Sequence, residues 1–152
     1  MKTMVDSWGR LRVELEPKTL ATRIAYGRFR WVNRHINHQN FPVDFEGEGG
    51  MEVRLAVFEQ EMEDRETLSQ LEFLGFRPAT LPEFLEVAAL LPDGWNFPVI
   101  GLDNPFRHSQ HSATHYPILK KIRMSRCLDL VSSVHPWPKF TRFPAVRLVA
   151  SP

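Results

Sequence analysis

The run Gly75-Phe76-Arg77-Pro78-Ala79-Thr80-Leu81-Pro82-Glu83 constrains this chain more than any other stretch. Thr80 and Glu83 stand three apart. The threonine hydroxyl can accept from the third helical amide while the glutamate reaches back to the cap amide. Pro82 falls in the first turn, where a missing N–H costs nothing. A helix therefore starts at Thr80, with Leu81, Phe84, Leu85 and Ala88 as its apolar stripe, and Pro92-Asp93-Gly94 ends it. Upstream, Leu68, Leu71 and Leu74 mark the buried face of a helix that Asp64 caps. Gly75 stops that helix by accepting a positive φ. The expectation is two consecutive helices joined by a turn over residues 75–80.

The rest of the pattern is mostly of period two. Arg10 to Leu15 alternates polar and apolar, and Val53, Leu55 and Val57 fall on one face of the clearest strand. Phe97–Leu102, Tyr116–Ile122, Leu128–Val134 and Ala145–Ala150 read as further strands, with Pro136, Pro138 and Pro144 breaking the chain between the last two. Lys18–Ala25 reads as a short helix, Tyr26–Ile36 as an irregular segment, and residues 103–115 as a polar, His-rich loop. The fold class this implies is α+β: two consecutive helices packed on a mainly antiparallel sheet, with residues 1–152 forming a single domain.

Composition narrows the class further. Hydrophobic residues make up 43% and charged residues 24% of the chain, as in ordinary globular domains. No apolar run reaches 18 residues, so no membrane span is expected. Met1 to Ser7 lack the hydrophobic stretch of a secretory leader, and Cys127 stands alone, so a cytoplasmic setting is expected. The net charge of +1 conceals segregation: residues 1–43 carry +5, residues 44–96 carry −10, and residues 97–152 carry +6. Basic ends lying against an acidic middle explain such blocks; nucleic-acid binding through the basic ends is the competing reading.

His108, His111 and His115 are spaced so that a helix would place three imidazoles on one face, as a three-His metal site requires. Ser109, Ser112 and Thr114, between Pro105 and Pro117, oppose such a helix, so the segment reads as a polar loop and no cofactor is expected. Ser132-Ser133, His135 and Asp129 lack the elbow that frames a nucleophilic serine. Arg28-Phe29-Arg30-Trp31 and Lys139-Phe140-Thr141-Arg142-Phe143 interleave cations with aromatics, as nucleic-acid readers do, although core packing explains both. No catalytic constellation emerges, so a binding module is expected over an enzyme, with a His-based metal-dependent enzyme kept as an alternative.

The string Gly75–Leu85 resembles a family of small proteins of candidate-phylum bacteria that share a Gly-aromatic-Arg-Pro-Ala-Thr turn and have no assigned biochemical role. Phe97-Pro98-Val99-Ile100-Gly101-Leu102, Trp31-Val32-Asn33, Asn40-Phe41-Pro42, Leu128-Asp129-Leu130 and Arg142-Phe143-Pro144-Ala145-Val146-Arg147 resemble further elements of that family. The sequence departs from it at Ser132-Ser133, at Thr141 and in the polar insertion from Asn104 to His115. The ending is weakly similar to C-type-lectin-like domains, including the variable proteins of diversity-generating retroelements. That resemblance implies a binding scaffold, C-type-lectin-like in its C-terminal half, whose irregular loops carry recognition.

The functional expectation is therefore a non-enzymatic recognition module with a loop-rich C-terminal face. Its partner would be a protein or other macromolecule, with nucleic acid as the alternative. Asn104, Arg107, His108, His111, Tyr116, His135 and Trp137 are its expected contact residues.

Overall fold

A computed structural model describes residues 4–15, 18–42, 49–103, 105–107, 114–133 and 136–147. The described elements are β1 (Met4–Leu15), α1 (Leu20–Tyr26), β2 (Trp31–Val32), β3 (Gly49–Phe58), α2 (Asp64–Phe73), β4 (Phe76–Pro78), α3 (Leu81–Leu90), β5 (Val99–Ile100), β6 (Phe106–Arg107), β7 (Thr114–Ile122), β8 (Ser125–Ser132) and β9 (Arg142–Arg147). The strands form one sheet in the order β1-β3-β9-β5-β7-β8-β2, with β4 added to β9 and β6 to β7. Pairing is antiparallel except for β2 with β8 and the short β5–β9 contact. The α+β class and the mainly antiparallel sheet are as expected. No described helix is long and apolar enough to cross a membrane.

The expected turn over residues 75–80 is instead a strand. Gly75 does take a positive φ of 85° beyond α2, and Thr80 does cap α3. Between them, Phe76, Arg77 and Pro78 pair with Arg147, Val146 and Ala145 of β9. Strand alternation then sends Phe76 to one face of the sheet and Arg77 to the other. The consequence is a change of layer. Leu68 and Leu71 of α2, with its cap residue Leu74, pack with Phe58, Met62, Phe76, Ile100 and Phe143. Phe84, Leu85, Val87 and Ala88 of α3 pack with Val53, Leu55, Leu119, Leu128 and Val146 on the opposite face, beside α1. The two helices share the sheet but not a core, and α1 makes a third.

Two local details also shift. The cap of α2 is Glu63, whose amide donates to Glu66 Oε1 at 3.2 Å. Asp64 is drawn to the sheet, where Tyr116 Oη donates to its Oδ2 at 3.2 Å. Pro144, expected as a breaker, lies inside β9 opposite Leu55. Its carbonyl accepts from Ala79 N at 2.9 Å. In a strand the nitrogen faces the same side as the carbonyl, here the seam between β5 and β4, so no rung with β3 is lost. Pro117 repeats the device in β7: its carbonyl accepts from Gly101 N at 3.0 Å, at the seam between β5 and β6.

Candidate functional site

The strands β5 and β7 pair only through Val99 with Leu119 and Ile100 with Ile118. Alternation would make the Phe97 carbonyl the next rung toward β7. That carbonyl is taken instead by the indole of Trp95, whose Nε1 donates at 2.7 Å. Pro98 turns its carbonyl the other way, accepting from Arg142 N at 3.0 Å. The 94–98 segment therefore peels from β7, and the gap is a cleft of about 550 Å³. Its floor is Trp95, 2% exposed. Phe97 forms one wall, and Lys120, Lys121, Arg123 and Met124 form the other.

The second wall ends in a tight turn. Ile122 pairs with Ser125, leaving Arg123 and Met124 as a two-residue loop with φ of 49° and 69°. Positive φ at both positions is the pattern of the I′ hairpin, which ordinarily uses Asn-Gly. Here the loop presents a cation and a methionine that is 82% exposed. Among the described residues, the non-glycine positions with left-handed backbone are Arg28, Arg123, Met124 and Phe140. All four lie at this end of the sheet, and all four side chains are exposed. Such strain concentrates where a structure holds side chains out for use.

Cations are also held over the rings here. Lys121 Nζ lies 4.6 Å from the Trp95 ring centre, and the Arg126 guanidinium 4.9 Å from it. The Arg142 guanidinium sits 4.1 Å from the centre of Phe97, and Arg142 Nη1 donates to the Phe140 carbonyl. Arg126 plays a supporting part. It is 6% exposed and donates to the carbonyls of Gly27, Leu91 and Ala88, so one side chain closes the C-terminal ends of both α1 and α3. Burial lowers its pKa from the ordinary arginine value, and the nearby Arg28 lowers it further. Lys120 is held from behind by Asp129, with Nζ 2.9 Å from Oδ2. Asn33 Nδ2 and the Leu130 amide donate to the other oxygen of Asp129 at 2.9 and 2.7 Å.

The described residues among the expected contacts lie elsewhere. Tyr116 and Trp137 are 6% and 3% exposed and meet edge to face inside the core that α2 covers, with ring centres 5.9 Å apart. Their burial corrects the expectation that they present themselves to a ligand: an aromatic beside a proline-rich stretch marks a core corner here. Arg107 lies in β6 opposite Thr114, and His115 is half-buried in β7 opposite Phe106 and Ser132. The expected loop over 103–115 thus contains two paired strands. Asn104, His108, His111 and His135 lie outside the described residues. Among the described residues no three His, Cys, Asp or Glu side chains gather as metal ligands. Arg107 and His115 lie toward the opposite end of the β7–β8 hairpin from the cleft; the six residues from His115 to Lys121 span roughly 20 Å at strand rise.

Arg142 and Phe140 of the cleft end did have a signal in the sequence, the interleaved Lys139–Phe143 run. Arg123 and Met124 had none, because nothing in the pair announces a two-residue turn. Comparison with protein-family models, curated proteins and solved structures finds no match to this chain.

Proposed function

We propose that the chain is a recognition module, with no reaction of its own, that captures an anionic partner at the cleft between the 94–98 segment and the β7–β8 hairpin. The observation that carries this is the cleft's lining, in which the charged side chains are Lys120, Lys121 and Arg123; of these Lys120 is paired from behind with Asp129. A concave site lined by one sign of charge, with an aromatic floor, raises the local concentration of the opposite charge. In the C-type-lectin-like reading of the C-terminal half, recognition would sit on the 103–116 and 131–141 loops. The described aromatics of those loops, apart from Phe140, are largely buried, which favours the cleft end instead.

Heparin chromatography tests the reading. The wild-type chain is expected to be retained at low salt. A Lys121→Glu/Arg123→Glu variant with an unchanged circular-dichroism spectrum should elute at clearly lower salt. Wild-type protein in the low-salt flow-through defeats the proposal.

A further inference from the structure

We infer that the partner is a single-stranded nucleic acid, an inference that rests on the cleft being a binding site at all. Cations and rings alternate across this end of the sheet. Arg123 and Met124 stand at the hairpin tip. Lys121 follows on the same wall, and Phe97 faces it with Arg142 over its ring. Arg142 then leads to Phe140 through the hydrogen bond to its carbonyl. Phe140 is 48% exposed, with Lys139 Nζ 5.8 Å from its ring centre.

Each macromolecular anion would use a different subset of these groups. An acidic peptide would engage the cations and leave Phe140 and Met124 in water. A duplex keeps its bases stacked inside and offers chiefly phosphate on its outer face. A single strand offers phosphates and unstacked bases in alternation, which suits cations set beside the partly exposed Phe97 and the exposed Phe140. The backbone supports the match: Phe140 sits at φ 68°, a conformation a phenylalanine rarely adopts, and the turn leaves its ring exposed.

Fluorescence anisotropy on the full chain tests this with three probes: a labelled ten-residue oligothymidylate, the same length of duplex, and a labelled poly-glutamate peptide. The oligothymidylate is expected to bind about tenfold or more tightly than either competitor, with affinity falling steeply as salt rises. Phe140→Asn keeps a residue that tolerates positive φ and removes the ring. It should weaken the oligothymidylate about tenfold while leaving heparin retention unchanged. Arg123→Asn, which suits its turn equally well, should lower both. Equal affinity for all three probes, or preference for duplex or peptide, overturns the single-strand inference and leaves the anion-binding cleft standing. An unchanged oligothymidylate affinity in Phe140→Asn overturns it also. No binding of any polyanion overturns both.

Discussion

Arg77 grips Glu83 with both arms, Nη1 to Oε1 at 2.7 Å and Nη2 to Oε2 at 2.9 Å. The same Oε1 accepts the Thr80 amide at 2.8 Å, so one carboxylate completes both the ion pair and the helix cap. Arg77 belongs to β4 and Glu83 to α3, and the pair rivets the helix to the sheet. Glu83 is 2% exposed, a burial its charge tolerates only while paired. The bond to Glu83 accordingly raises the arginine pKa above its ordinary value. Arg77→Met is expected to cost about 2–3 kcal/mol in urea unfolding, below the range for fully buried pairs because the Arg77 side chain is 39% exposed. Arg77→Lys should cost about half as much, since a point charge cannot serve both oxygens.

The β7–β8 turn carries the opposite prediction. Left-handed backbone disfavours Arg123 and Met124 and suits Asn-Gly. Replacing the pair by Asn-Gly should stabilise the fold by about 1–2 kcal/mol while weakening retention on heparin. A stabilised variant that still binds fully would show that the exposed pair contributes nothing to the cleft.

Asp129 sets an acid limit. Burial alone would raise its pKa, but the hydrogen bonds from Asn33, Lys120 and the Leu130 amide together bring it below the ordinary value. A carboxyl depressed in the folded state contributes stability that is present above its unfolded pKa of about 3.9 and lost as pH falls through the folded value. Asp129→Asn should therefore be less stable than wild type at pH 7, and the two should converge toward pH 3 in urea titrations.

Asp103 has the reverse sign. Burial raises its pKa above the ordinary value, Arg77 pulls it back, and Glu83 raises it again. Its protonated form is favoured on folding, so its contribution is complete below the unfolded pKa and is lost as pH rises through the folded one. Asp103→Asn is expected to be more stable than wild type at pH 7, with the advantage vanishing near pH 4. An advantage independent of pH would place its origin outside this carboxyl.

What the sequence disclosed is what local geometry decides. Thr80 and Glu83 lie within one turn of each other, and the cap they form stands as read. Leu68, Leu71 and Leu74 mark the inner face of α2 for the same reason. Phe76–Pro78 was illegible as a strand because its partner, Ala145–Arg147, lies nearly seventy residues away. A glycine stop followed by a threonine start reads locally as a turn. Pro144 misled in the same way: its place in β9 depends on which neighbour its nitrogen faces, and only the assembled sheet decides that. The cleft was hidden for a third reason. It exists because the Trp95 indole takes a carbonyl that would otherwise extend the ladder, a competition that no pattern of apolar spacing records.

The passage of the chain through the sheet at β4 bears on how the molecule is built in time. Two helices adjacent in sequence would ordinarily dock on each other early and cheaply, since the loop to be closed is short. Here α2 and α3 cannot do so, because the strand between them sends each to a separate layer. Both receive their floor from β3 and β9, and β9 is the last described strand to be synthesised. Until Arg142–Arg147 slots between β3 and β4, neither layer is complete, and assembly waits on the last described strand of the sheet.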